Sequence, residues 1–207
     1  MATWTAFYIK TTDEAGFKEK LIALTGISTA SEGRFPTDFH SSYLIDQVSP
    51  SYLAFTSTQP GWVTIVYNSA HKLTDWCIEI SRQFSTLVIV TLAQNTSDYY
   101  YFALYDKGEM KRELEYCYSE DYIPTNFGKK FDFEAEEPGE EIEYNGDSTY
   151  LFDFDSIERY CSQFGLTIQC EYQDFEWTIL KGKSTGKTVA QAVKELHGLR
   201  KPWWKFW

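Results

Sequence analysis

"DYYYFALYDKGEMKRELEYCY", residues 98–118, holds two runs of strand-forming residues around the tetrapeptide Asp106-Lys107-Gly108-Glu109. Aromatic side chains suit a pleated surface, and the glycine supplies the positive φ of a tight hairpin turn. The second run sets charged residues between Met110, Leu114 and Tyr116, as an edge or half-exposed strand would. A hairpin of this length predicts an antiparallel sheet, since parallel strands need long crossovers instead.

Working outward, the same signals recur. Residues 51–58 and 62–68 form a second hairpin about Gln-Pro-Gly-Trp, and 3–10, 41–48 and 87–94 read as further strands. Residues 166–172 and 175–181 predict a third hairpin. Helical spacing appears after Thr11, whose capping-box partner is Glu14, with Phe17, Leu21 and Leu24 on one face and Gly26 as the stop. It appears again over 70–84 (Leu73, Trp76, Cys77, Ile80, Phe84), over 154–164 (Ile157, Tyr160, Cys161, Phe164) and in TVAQAVKEL, 188–196. Between these lies an acidic stretch, 119–148, that reads as an exposed loop. The expectation is an α+β domain over 1–198, with an internal division near 119–148 as the alternative. Its sheet is mainly antiparallel and built from hairpins, with three or four helices on one face. SRQFSTLVIV (81–90) and CSQFGLTIQC (161–170) echo each other, as a duplicated helix–strand unit or two chemically similar helix ends.

The charge is unevenly placed. The 207 residues carry a net −11, yet 181–207 hold seven basic residues against Glu195 alone, leaving −17 for 1–180. Such a body repels phosphate backbones, which argues against nucleic acid, and it attracts basic partners. An aromatic share of 18% fits a packed sheet or a recognition surface. No apolar run reaches membrane-spanning length, and no leader pattern precedes the first strand. Cys77, Cys117, Cys161 and Cys170 form no C-x-x-C pair and read as reduced, buried thiols of a cytoplasmic protein.

Several chemistries are excluded by spacing. GKSTGKT, 182–188, follows a strand and precedes a helix, as a phosphate loop does, but places Lys181 where the first glycine belongs. What remains is a Ser/Thr-capped helix start, with anion binding by Ser184 and Lys187 as the functional alternative. As a nucleophile elbow, Ser184 lacks partners, because Glu195 and His197 point in different directions on one helix. Asp98, Glu109 and Lys111 offer a metal-dependent nuclease set on adjacent strands, set against ordinary solvated charges. The acids of 132–143 fit no calcium-loop spacing. No catalytic, cofactor or metal site is expected.

The ending LRKPWWKFW, 199–207, is basic and rich in tryptophan, and is expected to dock on its own domain, on a membrane surface or on a partner. The functional expectation is a non-enzymatic module that binds a basic protein, of the immunity or inhibitor type by charge analogy. Glu136, Glu137, Glu140 and Glu141, an exposed face with Tyr99 and Tyr101, and Trp203, Trp204 and Trp207 are its expected contacts. A peripheral membrane protein held by its tail is the alternative, and an enzyme with a site dispersed along the chain the third reading.

Overall fold

In the computed structural model, residues 3–43, 49–94, 97–118, 122–136, 140–144, 147–184, 186–188, 191 and 194 are described. Chain order gives β1 (Thr3–Lys10), α1 (Glu14–Thr25), β2 (Ala30–Gly33), β3 (Tyr52–Gln59), β4 (Trp62–Tyr67), α2 (Thr74–Gln83), β5 (Leu87–Gln94) and β6 (Tyr99–Asp106). There follow β7 (Glu109–Cys117), β8 (Thr125–Gly128), α3 (Asp132–Glu136), β9 (Glu141–Tyr144), β10 (Asp147–Tyr150), α4 (Phe154–Ser162) and β11 (Trp177–Lys181). Nine strands form one antiparallel sheet in the order β2-β11-β3-β4-β1-β5-β6-β7-β8, and β9 and β10 pair separately. The α+β class and the antiparallel, hairpin-rich sheet are as the sequence predicts.

The hairpin of 98–118 turns where expected, with Lys107 at φ 50° and Gly108 at φ 88°, the double positive φ that matches strand twist. Its second strand is not the sheet edge: β8 pairs outside β7, placing Asn126 opposite Leu114 and Phe127 opposite Glu113. Gly128 makes this pairing possible. Its φ is +92°, and a Cβ there would stand 2.1 Å from the Lys111 carbonyl oxygen.

Strand alternation divides the core between two sheet faces. Phe7, Ile9, Val88 and Val90 face α1 and α2, burying Phe17, Leu21, Cys77 and Ile80. Ala6, Tyr8, Ile89 and Phe102 face the opposite way, against Ile157, Tyr160 and Cys161 of α4. The helices are therefore shared between the two faces, contrary to the expectation of one. The reason is that the central strands are apolar on both sides and need a cover on each. Phe35, Phe39, Tyr52 and Trp177 close a third cluster beside β11.

Local differences have local causes. Helix α1 is capped by Asp13, whose Oδ1 accepts from Gly16 N at 3.0 Å, while Thr11 Oγ1 accepts from Asp13 N instead of serving as the cap. Helix α2 spans Thr74–Gln83, shorter than 70–84, because Leu73 sits at φ 52°. Of the strand expected over 41–48, Ser41 and Ser42 lie in a 3₁₀ turn and 44–48 lie outside the described residues. Residues 166–172 do not pair with β11, which lies between β2 and β3. Leu166 and Ile168 bury into the α4-side core, and Thr167 exchanges backbone hydrogen bonds with the Gln59 side chain. The echo between 81–90 and 161–170 is one of helix ends. Thr86 N donates to Ser81 O and Leu166 N to Cys161 O, around Ser85 and Gly165 at positive φ.

Candidate functional site

The stretch expected to be a loop, 119–148, contains β8, α3, β9 and the start of β10, and it is fastened to the sheet by a buried ion pair. Arg112 stands within the charged alternation of β7, yet its side chain is fully buried. A buried guanidinium needs its charge and donors satisfied. Nε and Nη2 reach Glu134 Oε1 and Oε2 at 2.9 and 2.6 Å, and Nη1 reaches Asn126 Oδ1 and the Phe127 carbonyl, both at 2.7 Å. Phe131 N–H adds a bond to Glu134 at 2.9 Å. Burial acts to raise the Glu134 pKa. The bonds from Arg112 and Phe131, with the guanidinium charge, outweigh it and hold the carboxyl below its ordinary value. Beneath, Phe131 and Phe133 stack on each other and meet Phe164 and Tyr160 edge-on.

Around this anchor the surface combines acids with uncovered apolar side chains. Among the described residues the large hydrophobics left exposed are Ile123 (86%), Phe127 (53%) and Tyr150 (47%), all within 123–150. Phe127 lies within β8 opposite Glu113, and Tyr150 and Asn126 line the same small cavity. Asp132, Glu136, Glu140, Glu141 and Glu143 are exposed in the same segment. Glu141 is the cross-strand partner of Tyr150, and the Glu140 carbonyl accepts from Leu151 N at 2.7 Å. Of the four expected acids, Glu140 and Glu141 thus lie beside the exposed Tyr150, Glu136 is exposed at the end of α3, and Glu137 lies outside the described residues. Sequence reading passed over Phe127, Tyr150 and Ile123, whose signal was apolar residues left inside an acidic run.

The expected face of Tyr99 and Tyr101 is not exposed. Tyr101 is fully buried and Tyr99 packs half-buried against the α1–α2 core. Odd-numbered residues of β6 point inward under α2, and their phenols extend to two carboxylates on β7. Tyr101 OH donates to Glu113 Oε1 at 3.1 Å and Tyr99 OH to Glu115 Oε1 at 2.8 Å. Lys72 Nζ lies 2.6 Å from Glu115 Oε2, 3.4 Å from Glu113 Oε1 and 4.5 Å above the Tyr101 ring. Burial pushes both phenols up, and the neighbouring carboxylates push further. For Glu115, burial's upward pull is outweighed by Lys72 and Tyr99, and its pKa falls. The network locks β6, β7 and the residues before α2 together, and gives the surface nothing from Tyr101.

The catalytic candidates are not assembled. Asp98 and Glu109 stand at opposite ends of the β6–β7 hairpin, about 25 Å apart by strand rise, and Glu109 pairs with Lys111 in solvent. No group of three metal-ligating side chains occurs among the described residues. All four cysteines are thiols, two buried and two half-buried. At 182–188, Ser184 and Lys187 are exposed, and Ser184 Oγ bonds to Gly186 O at 3.3 Å. Thr188 Oγ1 accepts from Gln191 N and Gln191 Oε1 accepts from Thr188 N, a reciprocal cap just after the turn. Trp203, Trp204 and Trp207, with the rest of 199–207, lie outside the described residues, as do Glu195 and His197. No described helix is long and apolar enough to cross a membrane. Comparison of the chain with protein-family models, curated proteins and solved structures finds no match in any of the three.

Proposed function

We propose that this chain is a non-enzymatic, cytoplasmic protein-binding module that captures a basic protein through the rim formed by residues 123–150. One observation carries the reading: every large hydrophobic exposed among the described residues falls in the segment that also presents Asp132, Glu136, Glu140, Glu141 and Glu143. Acids outnumber the exposed Lys129 and Lys130 there, and apolar anchors among charges of mainly one sign are the make-up of a protein interface with an oppositely charged partner. The acids steer the encounter and the aromatics slow dissociation. An inhibitor of a basic enzyme or toxin is the type of protein that charge and anchor chemistry suit.

The test uses quantitative affinity capture by the full chain and by two variants. One reverses Glu136, Glu137, Glu140 and Glu141 to lysine, and the other carries Phe127→Ser with Tyr150→Ser. The retained partner is then titrated against each in solution. Charge reversal is expected to slow association and abolish its salt dependence, and the serine pair to weaken affinity about tenfold or more. A partner held equally by the wild type and both variants refutes the reading.

A further inference from the structure

The nine-stranded sheet ends on β2 at one side and on β8 at the other. A terminal strand carries one row of backbone N–H and C=O groups without a partner strand, and neither edge is paired further among the described residues. The two edges differ. On β2, Ala30, Ser31 and Glu32 are exposed but small or polar, and Glu32 is held by Lys18 and Thr178. On β8, Asn126, Phe127 and Gly128 are exposed, Ile123 stands exposed just before it, and Phe127 presents its ring to solvent. Pairing with Arg112–Glu115 of β7 occupies only the inner side of β8. Of its carbonyls, that of Phe127 is engaged by Arg112 Nη1. The edge is also set in acid: residues 122–150 hold eight acids against Lys129 and Lys130, with Glu134 taken up by Arg112.

We infer that the outer edge of β8 takes up an extended basic segment of the partner protein as a tenth strand of the sheet. The inference rests on the proposed capture of a basic protein and names its mode. Strand addition draws affinity from main-chain hydrogen bonds and specificity from alternate side chains. Cross-strand partners share a face, so Thr125 and Phe127 stand with Glu115 and Glu113. Asn126 stands on the other face, where it lines a small cavity with Tyr150, and Glu141 lies opposite Tyr150. On the Phe127 side, Glu113 and Glu115 already have Lys72, Tyr101 and Tyr99 as partners. The added strand is therefore apolar toward Phe127 and basic toward Tyr150 and Glu141. Gly128, at positive φ, ends the edge, so the segment is about four to six residues long. A second copy of the chain is the poorer occupant, since two bodies of net −11 repel each other.

The experiment titrates the full chain with a synthetic hexapeptide of alternating lysine and valine, followed by affinity and by backbone hydrogen exchange. Two further peptides are N-methylated, one on the lysine amides and one on the valine amides. Each blocks one edge of the peptide and keeps every side chain and charge. The parent is expected to bind, to slow exchange over Thr125–Gly128 and to leave Ala30–Gly33 unchanged. One methylated form is expected to lose affinity about tenfold or more and the other to keep it, because only one edge pairs. Equal affinity of all three peptides, loss in both methylated forms, no binding of the parent, or protection at Ala30–Gly33 instead overturns strand addition. Protection at Thr125–Gly128 that rises with chain concentration and not with peptide overturns it in favour of a second copy. Beside any of these results, capture of a basic protein that charge reversal weakens leaves the basic-partner reading standing.

Discussion

Replacing Glu134 by glutamine tests whether the buried pair is what fastens residues 125–136 to the sheet. The guanidinium of Arg112 is fully buried and the Glu134 side chain is 7% exposed. Two of the guanidinium's four assigned hydrogen bonds go to Glu134, and the other two go to the neutral acceptors Asn126 Oδ1 and Phe127 O. Removing one partner of a buried pair costs about 3–5 kcal/mol, because the remaining charge is left uncompensated. The two neutral acceptors persist, which places Glu134→Gln at the lower end, about 3 kcal/mol. For a chain of this length that corresponds to a fall in Tm of about 6–12 °C. Urea unfolding followed by tryptophan fluorescence reads the loss as a shift in midpoint at constant slope. Because burial is outweighed by Arg112 and the Glu134 pKa is depressed, the wild type's advantage is full above the unfolded-state value of about 4.3. It is lost as pH falls through the lower folded-state value, so the two stability curves converge in acid. Arg112→Met with Glu134→Leu removes both charges while keeping volume, and is expected to recover to within about 1 kcal/mol of the wild type. A Glu134→Gln variant within about 1 kcal/mol of wild type, or a double variant no better than the single one, refutes the argument.

Two further outcomes follow from the same sheet edge. Gly128→Ala combines a left-handed φ with a Cβ placed 2.1 Å from the Lys111 carbonyl oxygen, a backbone atom that cannot turn aside. A loss of about 2–4 kcal/mol is expected in urea unfolding, and a loss under about 1 kcal/mol means that β8 does not pair as described. Lys72→Met removes the cation between Glu113 and Glu115, and is expected to raise the Glu115 pKa and cost about 1–2 kcal/mol at neutral pH. Since the wild-type Glu115 pKa is depressed, that cost shrinks as pH falls below about 4. Carboxyl titration by NMR checks it, and an unmoved Glu115 midpoint contradicts it.

How much of this was legible in the sequence depends on how far each cause reaches along the chain. The β6–β7 hairpin, the Gly26 stop and the ends of α2 and α4 are set by residues within one turn of each other, so composition and spacing find them. Arg112 was not legible, because a lysine, an arginine and glutamates alternating along a strand look alike whether or not something folds over them. What separates Arg112 from its neighbours is Glu134, twenty-two residues on, delivered by a strand whose register depends on Gly128. There was nevertheless a signal in that segment. Phe131 and Phe133 alternate with Asp132 and Glu134, and two phenylalanines at such spacing need a surface to bury against, which Tyr160 and Phe164 provide. Net acidity hid that amphipathic pattern and made a packed segment read as a linker. The same bias exposed Tyr101 on paper and buried it in fact, for the phenols of β6 reach carboxylates that the sequence assigned to solvent. Charge counted over a stretch therefore locates the acidic rim but does not say which of its charges are outside. Only pairing across strands does that: it buries Arg112 on β7, and it sets Glu141 opposite the exposed Tyr150 with Glu140 next to it.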